Sequence, residues 1–237
     1  NVLGNVHSEN EISSLTYALN GGAPVPIEVG PNLFRLANPG DFNVDLDLKY
    51  LQPGSNEVVI SAADSAGMTA SQTVTVRFEN GGAPDLSDTQ IISWAPEDLA
   101  SGRAVVIDGY WELTPEGLNN PETGYDRLVG ICPMSWQNFE ITVPITVHAI
   151  EPRKEWPSNG SGVGIAFHWN GHEKWNDIQP QYGWHPIGGF NILSWDYTGE
   201  RAEPVEAILL NGDEYLPLDQ QLTDIKIGET YLFKLRS

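Results

Sequence analysis

The chain has 237 residues and a formal charge of −20, from 32 acidic and 12 basic residues, with 24 glycines, 17 prolines, eight tryptophans and one cysteine. That acidity excludes a nucleic-acid-binding or anionic-membrane-binding role, since both need basic patches. The lone Cys132 excludes an intrachain disulfide and reads as a small buried hydrophobe, and no run approaches the ~18 apolar residues of a membrane helix.

Turn formers are abundant and helix-like runs few, so an all-β architecture of one or two domains is expected. The first 80 residues contain no tryptophan, whereas all eight lie at Trp94 or beyond. This shift places a domain boundary in the Gly-rich text around Glu79–Pro84, giving a first module over 1–80, a linker over 81–87 and a second module over 88–237. In the first module a strand over Ile12–Leu19 ends at Asn20-Gly21-Gly22, a strong turn signal. Val44, Leu46 and Leu48 alternate with Asp45, Asp47 and Lys49, which predicts one buried and one wet face. Pro53-Gly54 supplies a further turn. Val58, Ile60 and Ala62 alternate next, then Val74, Val76 and Phe78.

In the second module a strand is expected over Ala104–Asp108. Phe139, Ile141, Val143, Ile145 and Val147 share one side of a long strand, with Glu140, Thr142, Pro144, Thr146 and His148 on the other. Val163, Ile165, Phe167 and Trp169 then alternate with Gly162, Gly164, Ala166 and His168, so one side of that strand is nearly bare. A run of tiny side chains usually means that something comes close to the face they leave. A long connection from Asn170 to Gly189 follows, rich in Trp, His, Gly and Pro, and then a strand over Phe190–Trp195. Tyr231 to Arg236 forms a last strand.

Two resemblances arise from these residues. Leu15-Thr16-Tyr17-Ala18-Leu19-Asn20-Gly21-Gly22, Leu51-Gln52-Pro53-Gly54-Ser55-Asn56 and Ala63-Asp64-Ser65-Ala66-Gly67-Met68 resemble bacterial Ig-like domains. That resemblance implies an Ig-like β-sandwich acting as a spacer. Asp108-Gly109-Tyr110-Trp111-Glu112-Leu113, the Leu128–Gly130 strand, Trp136-Gln137-Asn138-Phe139-Glu140 and the Gly162–Trp169 strand resemble, in that order, the concanavalin A-like lectin/glucanase superfamily, including laminin-G-like modules. This implies an antiparallel jelly roll that often binds glycans, sometimes with calcium. In that superfamily the Tyr231–Arg236 pattern precedes further strands. The second sandwich is therefore expected to lack its last strands, and to be completed by neighbouring domains of a longer chain or by a complementing fragment after Ser237. No signal-peptide pattern stands at Asn1. Large secreted repeat-in-toxin adhesins, in which one domain is split by another, are similar in organisation.

The function expected from this reading is an extracellular or cell-surface, bacterial-type carbohydrate-binding or adhesion module, with a glycan or cell-surface polysaccharide as partner. A purely structural adhesin section and a glycan-active hydrolase or lyase are the alternatives. Aromatic rings stack on sugar C–H faces while polar groups read the hydroxyls, so Trp175, Tyr182, Trp184 and His185 from the long connection, with His168 and His148 on the sheet, form the expected ligand set. An enzyme of this fold needs paired carboxylates. The E-x-D-x-x-E pattern is absent, and Glu173 and Asp177 are the remaining pair. Calcium is the expected cofactor class, with Glu9, Glu11, Asp64 and Asp85 as ligands, although they lack EF-hand spacing. His168 and His172 stand at i, i+4, but the intervening Asn170-Gly171 breaks a helix and no Glu lies between them, so the zinc-helix logic fails.

Overall fold

The computed structural model describes the chain except for residues 33, 80–88, 123–125, 132–135, 137, 151–161, 170, 175, 185–188, 195–204, 212–213 and 222–225. For residues 100, 184, 189–194, 205–211 and 214–221 it describes the backbone. The regular structure of the described residues is nearly all antiparallel β. In chain order the strands are β1 (Val2–Asn5), β2 (Ile12–Leu19), β3 (Val25–Pro26), β4 (Asp41–Val44), β5 (Gly54–Asp64) and β6 (Thr69–Phe78). Next come β7 (Ala104–Asp108), β8 (Glu112–Thr114), β9 (Gly117–Asn119), β10 (Leu128–Ile131), β11 (Glu140–Thr146) and β12 (Gly162–Phe167). The last are β13 (His172–Glu173), β14 (Gly183–Trp184), β15 (Gly189–Ser194), β16 (Val205–Asn211), β17 (Glu214–Gln221) and β18 (Thr230–Arg236). A short helix, α1, covers Pro96–Ala100.

Contacts gather these strands into two compact units that do not follow chain order. Residues 1–85, 89–131 and 172–183 form the first; residues 86–88, 132–171 and 184–237 form the second. The boundary that composition places at 81–87 is thus crossed by contacts, because residues 89–131 and 172–183 pack with the first 85.

In the first unit, β3-β2-β5-β6 form a four-stranded sheet and β1 pairs with β4. Their inward residues Val2, Leu15, Ile27, Phe42, Val44, Val58 and Ile60 make one core. The alternation of Val58, Ile60 and Ala62 and of Val74, Val76 and Phe78 is realised as expected. β2 ends where Asn20 and Gly21 take φ of +50° and +73°, the left-handed geometry that such a two-residue turn requires and that Asn and Gly tolerate best. Asn20 is also tied by its side chain, donating to Asn56 Oδ1 at 2.8 Å and accepting from Glu57 N at 2.9 Å. The β5–β6 hairpin closes on Asp64, whose Oδ1 accepts the amides of Ala66 and Met68 while Gly67 takes φ of +82°.

One expected alternation fails. β4 stops at Val44, and Leu48 enters a 3-10 turn over Leu48–Tyr50 with 49% of its surface exposed. Asp45, expected on the wet face, turns inward instead. A buried arginine overrides the period-two pattern, because its charge needs a carboxylate more than Leu48 needs cover.

In the second unit β11 pairs with β18 along seven residues, and β12-β15-β16-β17 form a four-stranded sheet. Val147 and Phe233 are buried, with Ile145, Ile150, Val163, Ile165 and Tyr231 packed against them. The two long alternations read from sequence are present. Ile141, Val143 and Ile145 are half-buried while Glu140, Thr142 and Pro144 are exposed. Val163, Ile165 and Phe167 are half-buried while Gly162, Gly164 and Ala166 are exposed.

Candidate functional site

Among the described residues, the most tightly built polar site lies in the first unit, around Arg35. Its guanidinium is fully buried. Nη1 and Nη2 grip Asp45 at 2.6 and 2.8 Å, Nε donates to Asp108 Oδ1 at 2.5 Å, and Nη1 also donates to the Gln181 carbonyl at 2.6 Å. This two-pronged grip is the geometry that a planar guanidinium offers and an ammonium cannot. Asp108 closes β7, and its carboxylate is as buried as the arginine. Oδ1 also accepts Asn43 Nδ2 at 2.7 Å, and Oδ2 lies 3.1 Å from Nε2 of the nearly buried His172. The Asp108 carbonyl accepts Trp111 Nε1 at 2.9 Å. Asn1 Nδ2 reaches Asp45 Oδ1 and the Ile107 carbonyl, each at 3.0 Å.

Opposing effects act on this cluster. Burial by itself lowers the Arg35 pKa, but the Asp45 hydrogen bonds and the charges of Asp108 and Asp45 outweigh it and raise it above the ordinary value. Burial raises Asp45, yet the hydrogen bonds and charge of Arg35 win and hold it below the usual carboxylate range. The ion pairs therefore exceed the desolvation cost at both groups.

The segment 172–183 is laid along this cluster. Glu28 N donates to Gln179 O at 2.7 Å, Gln179 N donates to Pro26 O at 3.0 Å, and Ile27 bridges Gln179 in parallel. Gln179 Oε1 accepts Asp45 N at 3.0 Å, and Gln181 N donates to Asp45 Oδ2 at 2.8 Å. Gln179, Pro180 and Gln181 are buried. Tyr182 stacks at 4.9 Å, tilted, on Phe34. Its hydroxyl accepts from Asn32 Nδ2 at 2.8 Å and donates to Glu28 Oε2. Burial, then Glu28, pushes the phenol pKa well up, so it stays a neutral donor.

No family model matches this chain, and no curated protein or solved structure does.

Of the expected ligand set, Tyr182 lies in the first unit, with its hydroxyl between Asn32 and Glu28. His168 and His148 belong to the second unit, where both are exposed. His168 Nε2 lies 2.7 Å from Ser237 Oγ, and its ring meets Phe139 and Phe167 edge-on. Trp184 contributes backbone to β14, while Trp175 and His185 lie outside the described residues. Of the two carboxylates weighed for catalysis, Glu173 is exposed, with its methylenes against Gly183. Asp177 is exposed and paired with Lys174, which holds it below the ordinary range.

Of the calcium ligands weighed, Glu9 and Glu11 are exposed and Asp85 lies outside the described residues. Both oxygens of Asp64 are engaged, Oδ2 by Ser8 and Asn10 and Oδ1 by the turn amides. Ser8 first, with these other donors, lowers its pKa. His172, weighed with His168 as a zinc pair, is engaged by Asp108 instead.

Arg35, Asn43, Asp45, Asp108, Gln179 and Gln181 were not singled out by the sequence reading. One signal pointed there: Arg35 stands between Phe34 and Leu36, apolar on both sides, in a chain with 12 basic residues. An arginine so placed is buried only with carboxylates to meet it.

Proposed function

We propose that the chain is an adhesion section of a larger secreted, bacterial-type protein, and that segment 172–183 serves in it as a structural strap. The fold proposed is an Ig-like sandwich followed by a concanavalin A-like one. The observation that carries the strap is the use of its polar groups inside the first unit. His172, Gln179, Gln181 and Tyr182 bond Asp108, Asp45, Arg35, Glu28 and Asn32. A tyrosine whose hydroxyl is shared between Glu28 and Asn32 is not available to read a sugar. Hydrolysis is disfavoured by Asp177, since Lys174 moves its pKa in the wrong direction for a general acid.

A second reading, glycan contact on the second unit, is favoured by the exposed row Gly162, Gly164 and Ala166 beside His168. A glycan array run with and without Ca²⁺ separates the two. The strap reading expects Tyr182→Phe to lower stability by about 1–2 kcal/mol and to leave every array signal unchanged. Glycan binding that survives Tyr182→Phe and disappears with Ala166→Arg moves the function to the β12 face. Binding lost in Tyr182→Phe at unchanged stability overturns the strap.

A further inference from the structure

The four-stranded sheet of the first unit is finished differently at its two edges. The β3 edge is two residues long, contains Pro26, and is covered by Gln179 through the two backbone bonds described above. Among the described residues, the β6 edge has none of these protections. β6 runs ten residues in unbroken register with β5, whereas the β2–β5 pairing carries an irregularity. No strand lies beyond it among the described residues. Thr69–Phe78 contains no proline, glycine or lysine, and residues 69–73, 75 and 77 are exposed. Shortness, proline, lysine, bulges and cover are the devices that keep sheet edges from pairing. A strand without them offers a row of N–H and C=O groups whose natural complement is another strand.

Charge leaves this strand open to a second copy. The chain carries −20, so two copies repel wherever their acidic surfaces meet. β6 contains no acidic residue; its one charge is Arg77, paired at 2.6 Å with Glu79. Symmetry fits as well. In an antiparallel pair about a two-fold axis through a residue, positions of like parity lie opposite, so each face meets its own kind. Half-buried Val74 and Val76, at the margin of the core, then meet the same margin of the other copy. Ser71, Thr73 and Thr75 continue as one hydroxyl-bearing face. The geometry points to self-association of this chain through antiparallel β6–β6 pairing, which joins two four-stranded sheets into one.

Sedimentation equilibrium of the full chain, from micromolar to near-millimolar concentration, tests it. The wild type is expected to move from 26.0 kDa toward twice that mass. With the axis near Val74, Thr73 of one copy faces Thr75 of the other. Thr73→Lys with Thr75→Lys, and separately Thr73→Glu with Thr75→Glu, therefore set like charges opposite each other twice. Each double variant is expected to weaken the dimer by about tenfold or more, and an equimolar mixture of the two is expected to restore it. Circular dichroism checks that the variants, altered at exposed positions, keep the fold. A wild type that stays monomeric throughout, a dimer that both double variants leave intact, or a mixture that stays monomeric overturns the proposal.

Discussion

At the residue scale, Arg35 is the guanidinium that holds Asp45 and Asp108, and His172 Nε2 also reaches Asp108. Arg35→Met leaves buried Asp108 and part-buried Asp45 without the guanidinium that holds them, and is expected to cost about 3–5 kcal/mol by urea denaturation. Arg35→Lys keeps the charge but replaces a fork by a single ammonium, so it is expected to recover only part of that loss. Asp45 also sets an acid limit. Its folded-state pKa lies below the unfolded value, so its contribution is fully present above the ordinary carboxylate pKa of about 3.9. That contribution is lost as pH falls through the depressed folded value. Melting temperatures measured across the acid range should therefore drop below about pH 4, and the drop should be shallower in Asp45→Asn, whose starting stability is lower.

At the element scale, what the sequence made legible is what lies within one strand or one turn. The strands at Ile12–Leu19 and Ala104–Asp108 were readable to the residue, because apolar runs there end at Asn20-Gly21 and Asp108-Gly109. The bare and covered sides of β12 were readable because side chains alternate with period two. Asp45 was misread for the opposite reason. Its pattern was local, but its partners are Arg35, Gln179 and Gln181, and two of those lie more than 130 residues away. The Tyr182 ring, in the long connection after Asn170, meets Phe34 and its hydroxyl meets Glu28 and Asn32. Composition says that Tyr182 needs a partner; it does not say that Glu28 and Phe34 supply it.

At the scale of the whole molecule, the shift in tryptophan content marks a difference in composition and not a gap in contacts. Residues 1–85 alone would lack Asp108, His172, Gln179 and Gln181, leaving Arg35 with Asp45 and the β3 edge uncovered. A fragment of residues 1–85 is expected to be less stable than the first unit within the full chain, and to protect the β3 amides poorly in hydrogen exchange. A fragment with full protection there would show that the cluster adds nothing to the sheet it sits on.

The Arg35–Gln181 hydrogen bond spans 146 positions of sequence. A ribosome releases the arginine long before the carbonyl that will receive it. Until then, a nascent chain carries its first sheet with a guanidinium pocket open on one side. Contacts of such separation form late, after the loop between them has been closed at an entropic cost. Sealing the first unit is therefore expected to follow formation of its sheet, and a chain that ends before residue 179 is expected to leave both that pocket and the β3 margin open.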